Sequence, residues 1–168
     1  SGRFSQAKAL LEHLQQEGHC HESVPVLLGG DFNCPSHLDW TKDTQRVFAR
    51  RRALDLPVSQ LVLDAGFEDT FRKIHPNPVQ HPGITWSPMY RGSVSAEEGT
   101  PQSFERIDRL YVHKRNDELT SRLVPMAAQV LPVVWESDQI PAEARVFPSD
   151  HGAVVIDFEW ISTDPMPK

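Results

Sequence analysis

Along the first stretch of the chain the apolar residues recur at helical spacing. Phe4, Ala7, Leu10, Leu11 and Leu14 fall on one face, with Gln, Glu and Lys opposite. This spacing predicts an amphipathic helix over 3–17, stopped by Gly18. After a polar loop the pattern changes to Val24-Pro25-Val26-Leu27-Leu28, a short, wholly apolar run with β-branched residues. Such a run reads as a strand buried on both faces. It leads into Gly29-Gly30-Asp31, which sets a carboxylate at the strand's C-terminal end, where open α/β sheets hold ligands.

Two further helices are predicted, one over 40–52 with Asp39 as N-cap and one over Ser59–Ala65 closed by Gly66. A proline-rich stretch from His75 to Pro88 contains a short strand, Ile84-Thr85-Trp86, and residues 91–103 form an exposed loop. Three strands are expected later, at Arg106–Val112, Leu123–Leu131 and Gly152–Trp160, the last reached through a polar loop over 136–149. In that last strand Val154, Ile156, Phe158 and Trp160 share one face and Ala153 and Val155 the other, so its first half is expected to be covered on both sides. No repeat or heptad interrupts the mixture, which predicts an α/β or α+β layered fold.

Composition narrows the function classes. A chain of 168 residues with 39% hydrophobic and 24% charged residues suits a single domain with its own core. No apolar run is long enough to cross a bilayer. Lys plus Arg number 17 against 23 Asp plus Glu, a net charge of −6, which excludes a broad basic surface for non-specific nucleic-acid binding. The one basic cluster, Arg46, Arg50, Arg51 and Arg52, reads either as a solvated helix face or as a phosphate-binding patch. Cys20 and Cys34 are too few for a disulfide framework, and their pairing stays open. Ser1 is not a natural initiator, so the chain is expected to be a processed or excised piece of something longer.

Three segments carry chemistry: Gly30-Asp31-Phe32-Asn33 after the first strand, Arg106-Ile107-Asp108-Arg109-Leu110-Tyr111-Val112, and Ser149-Asp150-His151 before the last strand. Together they supply what phosphate-ester hydrolysis requires. A hard cation such as Mg²⁺ or Mn²⁺ needs carboxylate oxygens, and Asp31 and Asp150 are left for metal binding, water orientation or leaving-group protonation. His151 is the candidate base for the attacking water, and Asp108 the acceptor that orients it. Asn33 can donate an N–H to a phosphate oxygen without repelling the anion. Each segment alone has a plainer reading: an Asx turn at Asp31-Phe32-Asn33, a cap or loop at Asp150-His151, an edge-strand charge at Asp108.

Taken in order, Gly-Asp-Phe-Asn, Thr-Trp, Arg-Ile-Asp and Ser-Asp-His resemble the C-terminal half of the endonuclease/exonuclease/phosphatase family, over about three quarters of the chain. That family includes nucleases, inositol polyphosphate phosphatases and sphingomyelinases. The resemblance implies a four-layer sandwich of two mixed β-sheets flanked by helices, of which residues 1–168 are the C-terminal part. It implies that Asp31 and Asn33 orient the nucleophile and stabilise the transition state or leaving group, that Asp108 pairs with His151, and that Asp150 lies beside the metal. It also implies that Thr85 and Trp86 line the site, although core packing is the equal alternative for Trp86. The family's N-terminal half carries a metal-ligand Glu that these residues lack, so the fragment alone is expected to be inactive and its missing half to be its partner.

The substrate expected is a phosphate ester, a small molecule or lipid headgroup in preference to duplex DNA. A nuclease and a non-catalytic binding module that keeps the fold are the alternatives. His37 and Trp40 follow the first motif and either shape a substrate pocket or belong to a helix start capped by Asp39. His19-Cys20-His21 has metal-friendly residue types but no second cluster at ligand spacing, and reads as a loop.

Overall fold

The computed structural model describes residues 2–21, 24–47, 56–86, 105–114, 121–131, 149 and 151–162. Asp150, Arg50, Arg51, Arg52, the 91–103 loop and most of the 136–149 loop lie outside the described residues. Helix α1 (Gly2–Gln16) forms where the apolar period predicts it, with Leu11 buried and Leu14 packed against the same cluster. Gly18 ends it at φ 74, a left-handed value that costs glycine nothing. A 3-10 turn (His19–His21) leads towards strand β1 (Leu27–Asp31).

Helix α2 (Lys42–Val47) starts later than the sequence suggests. Thr41 and Thr44 cap it reciprocally, with Thr41 N donating to Thr44 Oγ1 at 2.9 Å and Thr44 N to Thr41 Oγ1 at 3.3 Å. Asp39 is therefore not the cap. Its carboxylate is drawn away by two buried guanidiniums, Arg72 Nε at 2.6 Å and Arg106 Nε at 3.0 Å. Helix α3 (Pro57–Asp64) begins on a proline, whose missing N–H is no loss at a helix start, and is followed by Gly66 at φ 91. Strand β2 (Phe67–Asp69) and helix α4 (Thr70–Ile74) come next, and Asp69 caps α4 by accepting from Arg72 N. The polypeptide continues into β3 (Asp108–His113), β4 (Arg122–Leu131) and β5 (Ala153–Ile161).

These elements make a mixed α/β fold with two antiparallel sheets. In the first, β3 lies between β1 and β2. Its register sets Leu27 opposite Val112 and Asp31 opposite Asp108. In the second, β4 pairs with β5, and the ladder slips between Pro125 and Ala127. Proline has no N–H for a ladder, so a bulge is where a strand tolerates it. The mixed sheets implied by the resemblance are not seen, since every described strand pair is antiparallel.

On one face of the first sheet, Leu11, Val62, Phe67 and Tyr111 form the buried apolar cluster, with Leu28, Phe32 and Leu61 packed against it. A second, polar core lies nearby. Arg106 is 1% exposed and binds both Asp39 and Asp69, while Arg72 binds Asp39. Burial alone pulls the Arg106 pKa down, but the Asp39 and Asp69 carboxylates outweigh it and the net shift is upward. The expectation that β1 is buried on both faces does not hold. It starts at Leu27, and Val24 and Leu27 are 60% and 46% exposed, because β1 is the outer strand of the described sheet. The first half of β5 is likewise not covered on both sides, since Ala153 is exposed and Val154, Val155 and Ile156 are only half-buried, and Trp160 stands exposed near the strand's end.

Candidate functional site

The two sheets approach each other where three segments meet around Thr85, and the expected strand Ile84-Thr85-Trp86 is reduced there to isolated bridges made by Trp86. Trp86 forms antiparallel bridges with Glu105 on one side and His151 on the other. Gly152 N donates to Thr85 O at 2.6 Å, which brings the start of β5 alongside. The Thr85 hydroxyl accepts from the backbone N–H groups of Ile107 and Asp108, each at 3.0 Å, which fixes the start of β3. One residue thus holds both Asp108 and the segment carrying His151.

His151 Nδ1 meets Asp108 Oδ2 at 2.8 Å, although the two are 43 residues apart in sequence. Both side chains are partly exposed, at 25% and 21%, so the pair is open to solvent from one side. Asp31 is the cross-strand partner of Asp108. Ligand atoms of Asp31, Asp108 and His151 all lie within 4.8 Å of one another. Residues directly opposite across antiparallel strands share a face with Cβ atoms about 5 Å apart, so two carboxylates there repel unless positive charge intervenes.

The chain turns sharply after Asp31. Asn33 N donates to Asp31 Oδ1 at 2.7 Å and Asn33 Nδ2 to Asp31 Oδ2 at 2.8 Å. This is the Asx turn, and it coexists with the site. Asn33 sits at φ 49, a left-handed conformation that asparagine tolerates better than most residues. Both Asp31 and Asn33 are exposed.

The remaining candidates divide. Thr85 has no exposed surface, so it supports the site from beneath and cannot touch a substrate. Trp86 is half-buried at the junction itself. His37 is turned away onto α3, where its backbone N–H and Nδ1 both meet Ser59 Oγ, at 2.9 and 2.7 Å. Burial lowers its pKa, against the pull of the Asp39 and Asp69 carboxylates. Its expected place in a substrate pocket beside Asp31 is thus taken by a packing role. Trp40 donates Nε1 to the buried Glu105 at 2.9 Å, tying the loop after Asn33 to the junction. Asp150 lies outside the described residues. Cys20 and Cys34 form no disulfide. The supporting roles of Thr85, Glu105 and the Asp39–Arg106 pair escaped the sequence reading. Only the Arg-Ile-Asp run hinted that a buried cation accompanies Asp108.

No family model matches the chain. The uncharacterized protein F14F9.5 of Caenorhabditis elegans is 34% identical over 141 residues, covering 83% of this chain and 42% of that protein. The chain therefore spans less than half the length of this relative, whose name assigns it no activity.

Proposed function

We propose that residues 1–168 form the C-terminal part of an endonuclease/exonuclease/phosphatase-type domain, and that the full-length protein is a divalent-metal-dependent phosphoesterase. The observation that carries this reading is the 2.8 Å His151–Asp108 contact, with Asp31 register-paired to the same aspartate. In it, Asp108 fixes the imidazole tautomer through Nδ1 and stabilises the imidazolium, while the other ring nitrogen takes the proton of the attacking water. Asn33 keeps one amide N–H on Asp31 and presents its second to a non-bridging phosphate oxygen.

The Asp31 carboxylate, within 4.8 Å of the Asp108 and His151 ligand atoms, offers the oxygen that a hard divalent cation takes. Mg²⁺ or Mn²⁺ would be held through Asp31 and, by the family resemblance, Asp150. When bound it supplies neutralisation of the phosphate charge. In the proposed four-layer sandwich, α1 and α3 cover the first sheet and the β4–β5 pair belongs to the second. The missing half packs along the open edge of β1. There a cleft of about 530 Å³ is lined by Ala7, Leu10, Leu28 and Val58 together with Asp31 and Asn33 of the site itself.

The substrate favoured is a small phosphate ester or lipid headgroup. Net charge is −6, and the buried cations Arg72 and Arg106 are already matched by Asp39 and Asp69. The test compares full-length protein on a nitrophenyl phosphodiester and on supercoiled plasmid, with Mg²⁺ or Mn²⁺. Turnover of the small ester is expected. Nicking without small-ester turnover would move the substrate to DNA, and hydrolysis of neither would favour the binding-module alternative.

A further inference from the structure

Arg109 follows Asp108 in β3, so its side chain leaves the opposite face of the sheet from the carboxylates. It is 2% exposed. Among the described residues no carboxylate pairs with it, unlike Arg72 and Arg106. Among the described residues its partners are the two that flank Asn33 and, at 6.0 Å from the guanidinium carbon, the ring of Tyr111. Nη1 donates to Cys34 O at 2.9 Å, Nη2 reaches Cys34 Sγ at 3.8 Å, and the guanidinium carbon stands 4.5 Å from the centre of the Phe32 ring. Nε is buried with no hydrogen-bond partner among the described residues.

A buried guanidinium is a costly way to fill space in a fold, since an apolar side chain of similar volume does so without the desolvation cost. A flat fork that grips a carbonyl on one side and an aromatic face on the other does something an apolar residue cannot: it fixes orientation. Asn33 lies between the two gripped residues, in a left-handed conformation, and its backbone N–H must stay on Asp31. The same arginine is covalently next to Asp108. Its position therefore ties the Asn33 turn to the strand that carries the imidazole's acceptor.

We propose that Arg109 is the positioning residue of this site, holding the 32–34 turn so that Asn33 and Asp31 keep their geometry relative to Asp108 and His151. The inference rests on the hydrolase reading for its effect on rate, and on the Asn33 geometry alone for its structural part.

The test uses full-length protein with Arg109→Met, which keeps the apolar packing and removes the fork, and with Arg109→Lys, which keeps the charge. Two readouts are taken: steady-state hydrolysis of the nitrophenyl diester, and hydrogen exchange of the Asn33 amide against the amides of α3. The expected result is a fall in kcat of about 10- to 100-fold for Arg109→Met with KM within about twofold, because the geometry lost matters most in the transition state. Arg109→Lys should recover only part of it. Asn33 exchange should accelerate while α3 exchange does not. Wild-type turnover by Arg109→Met, with a His151→Ala control inactive, would overturn the inference and leave the hydrolase reading standing. If the wild-type protein hydrolyses no phosphate ester, that reading fails, and Asn33 exchange decides the positioning claim. Selective acceleration supports the claim, and unchanged exchange, or a rise shared equally with α3, overturns it.

Discussion

Asp108 faces two demands that conflict. It must hold His151 Nδ1 at 2.8 Å, and it sits directly across the ladder from a second carboxylate, Asp31. Like charges in that position destabilise a strand pair by roughly 0.2–1 kcal/mol. Asp108→Asn should therefore separate function from stability. The amide can still accept from the imidazole but no longer stabilises its charged form, so turnover should drop by about 10²–10⁴-fold. Thermal unfolding should show a Tm equal to or above that of the wild type, and a large loss of Tm would show that Asp108 serves the fold instead. His37 gives the contrary case, a histidine held for packing. Burial lowers its pKa, so the folded state favours the neutral ring. As pH falls through about 6.5, the unfolded chain takes up the proton first, and the His37 contribution to stability declines until the folded-state pKa is passed. His37→Asn should remove that part of the acid loss. The stability difference between wild type and variant, measured by urea unfolding at about pH 7.5 and about pH 5, should shift towards the variant at the lower pH. A difference independent of pH would contradict the assignment.

At the scale of elements, what can be read from sequence is what local pattern determines. Helix α1 has a long apolar period and a glycine stop, and both survive in the structure. The later β4 and β5 match their predicted spans to within a residue at each end, because each is a sustained run of strand-forming residues. Strand β1 was misplaced because Gly29 and Gly30 have no strand propensity of their own and become strand only by pairing with Leu110 and Arg109. Strand β2 and helix α4 are three and five residues long, too short for a period, and Asp69 joins them by capping one and accepting Arg106. Asp39 looked like a helix cap because the arginines that claim it lie 33 and 67 residues away. Asp31, Asp108 and His151 were legible as residues that belong together, whereas the device that assembles them, the Thr85 hydroxyl on the Asp108 N–H, depends on a contact between distant segments. The Asp39 cluster carries its own prediction. Truncating one member of a buried ion cluster leaves uncompensated charge, so Asp39→Ala should cost about 3–5 kcal/mol. Lys8→Ala, which breaks a half-exposed pair with Glu12 at 3.6 Å, should change stability by less than about 1 kcal/mol. Equal effects in urea unfolding would show that the polar core is not holding the junction.

For the molecule as a whole, the described surface is unevenly finished. The α1–α3 face of the first sheet is packed, whereas Leu10, Val24, Leu27, Met126 and Trp160 stand 42–60% exposed. Scattered apolar residues are ordinary on any surface, but Leu27 lies on the outermost described strand and Leu10 lines the cleft beside it. This is the side on which the proposed domain requires its other half. The chain spans less than half the length of its nematode relative, and the proposed activity is that of a full-length domain. The most direct measurement is hydrolysis of a nitrophenyl phosphodiester by the full-length protein, wild type and His151→Ala, with Mg²⁺ and with chelator. Metal-dependent turnover by the wild type is expected, abolished by chelator and reduced by about 10²–10⁴-fold in a His151→Ala variant that unfolds at the wild-type temperature. Turnover that survives both the substitution and the chelator would contradict it.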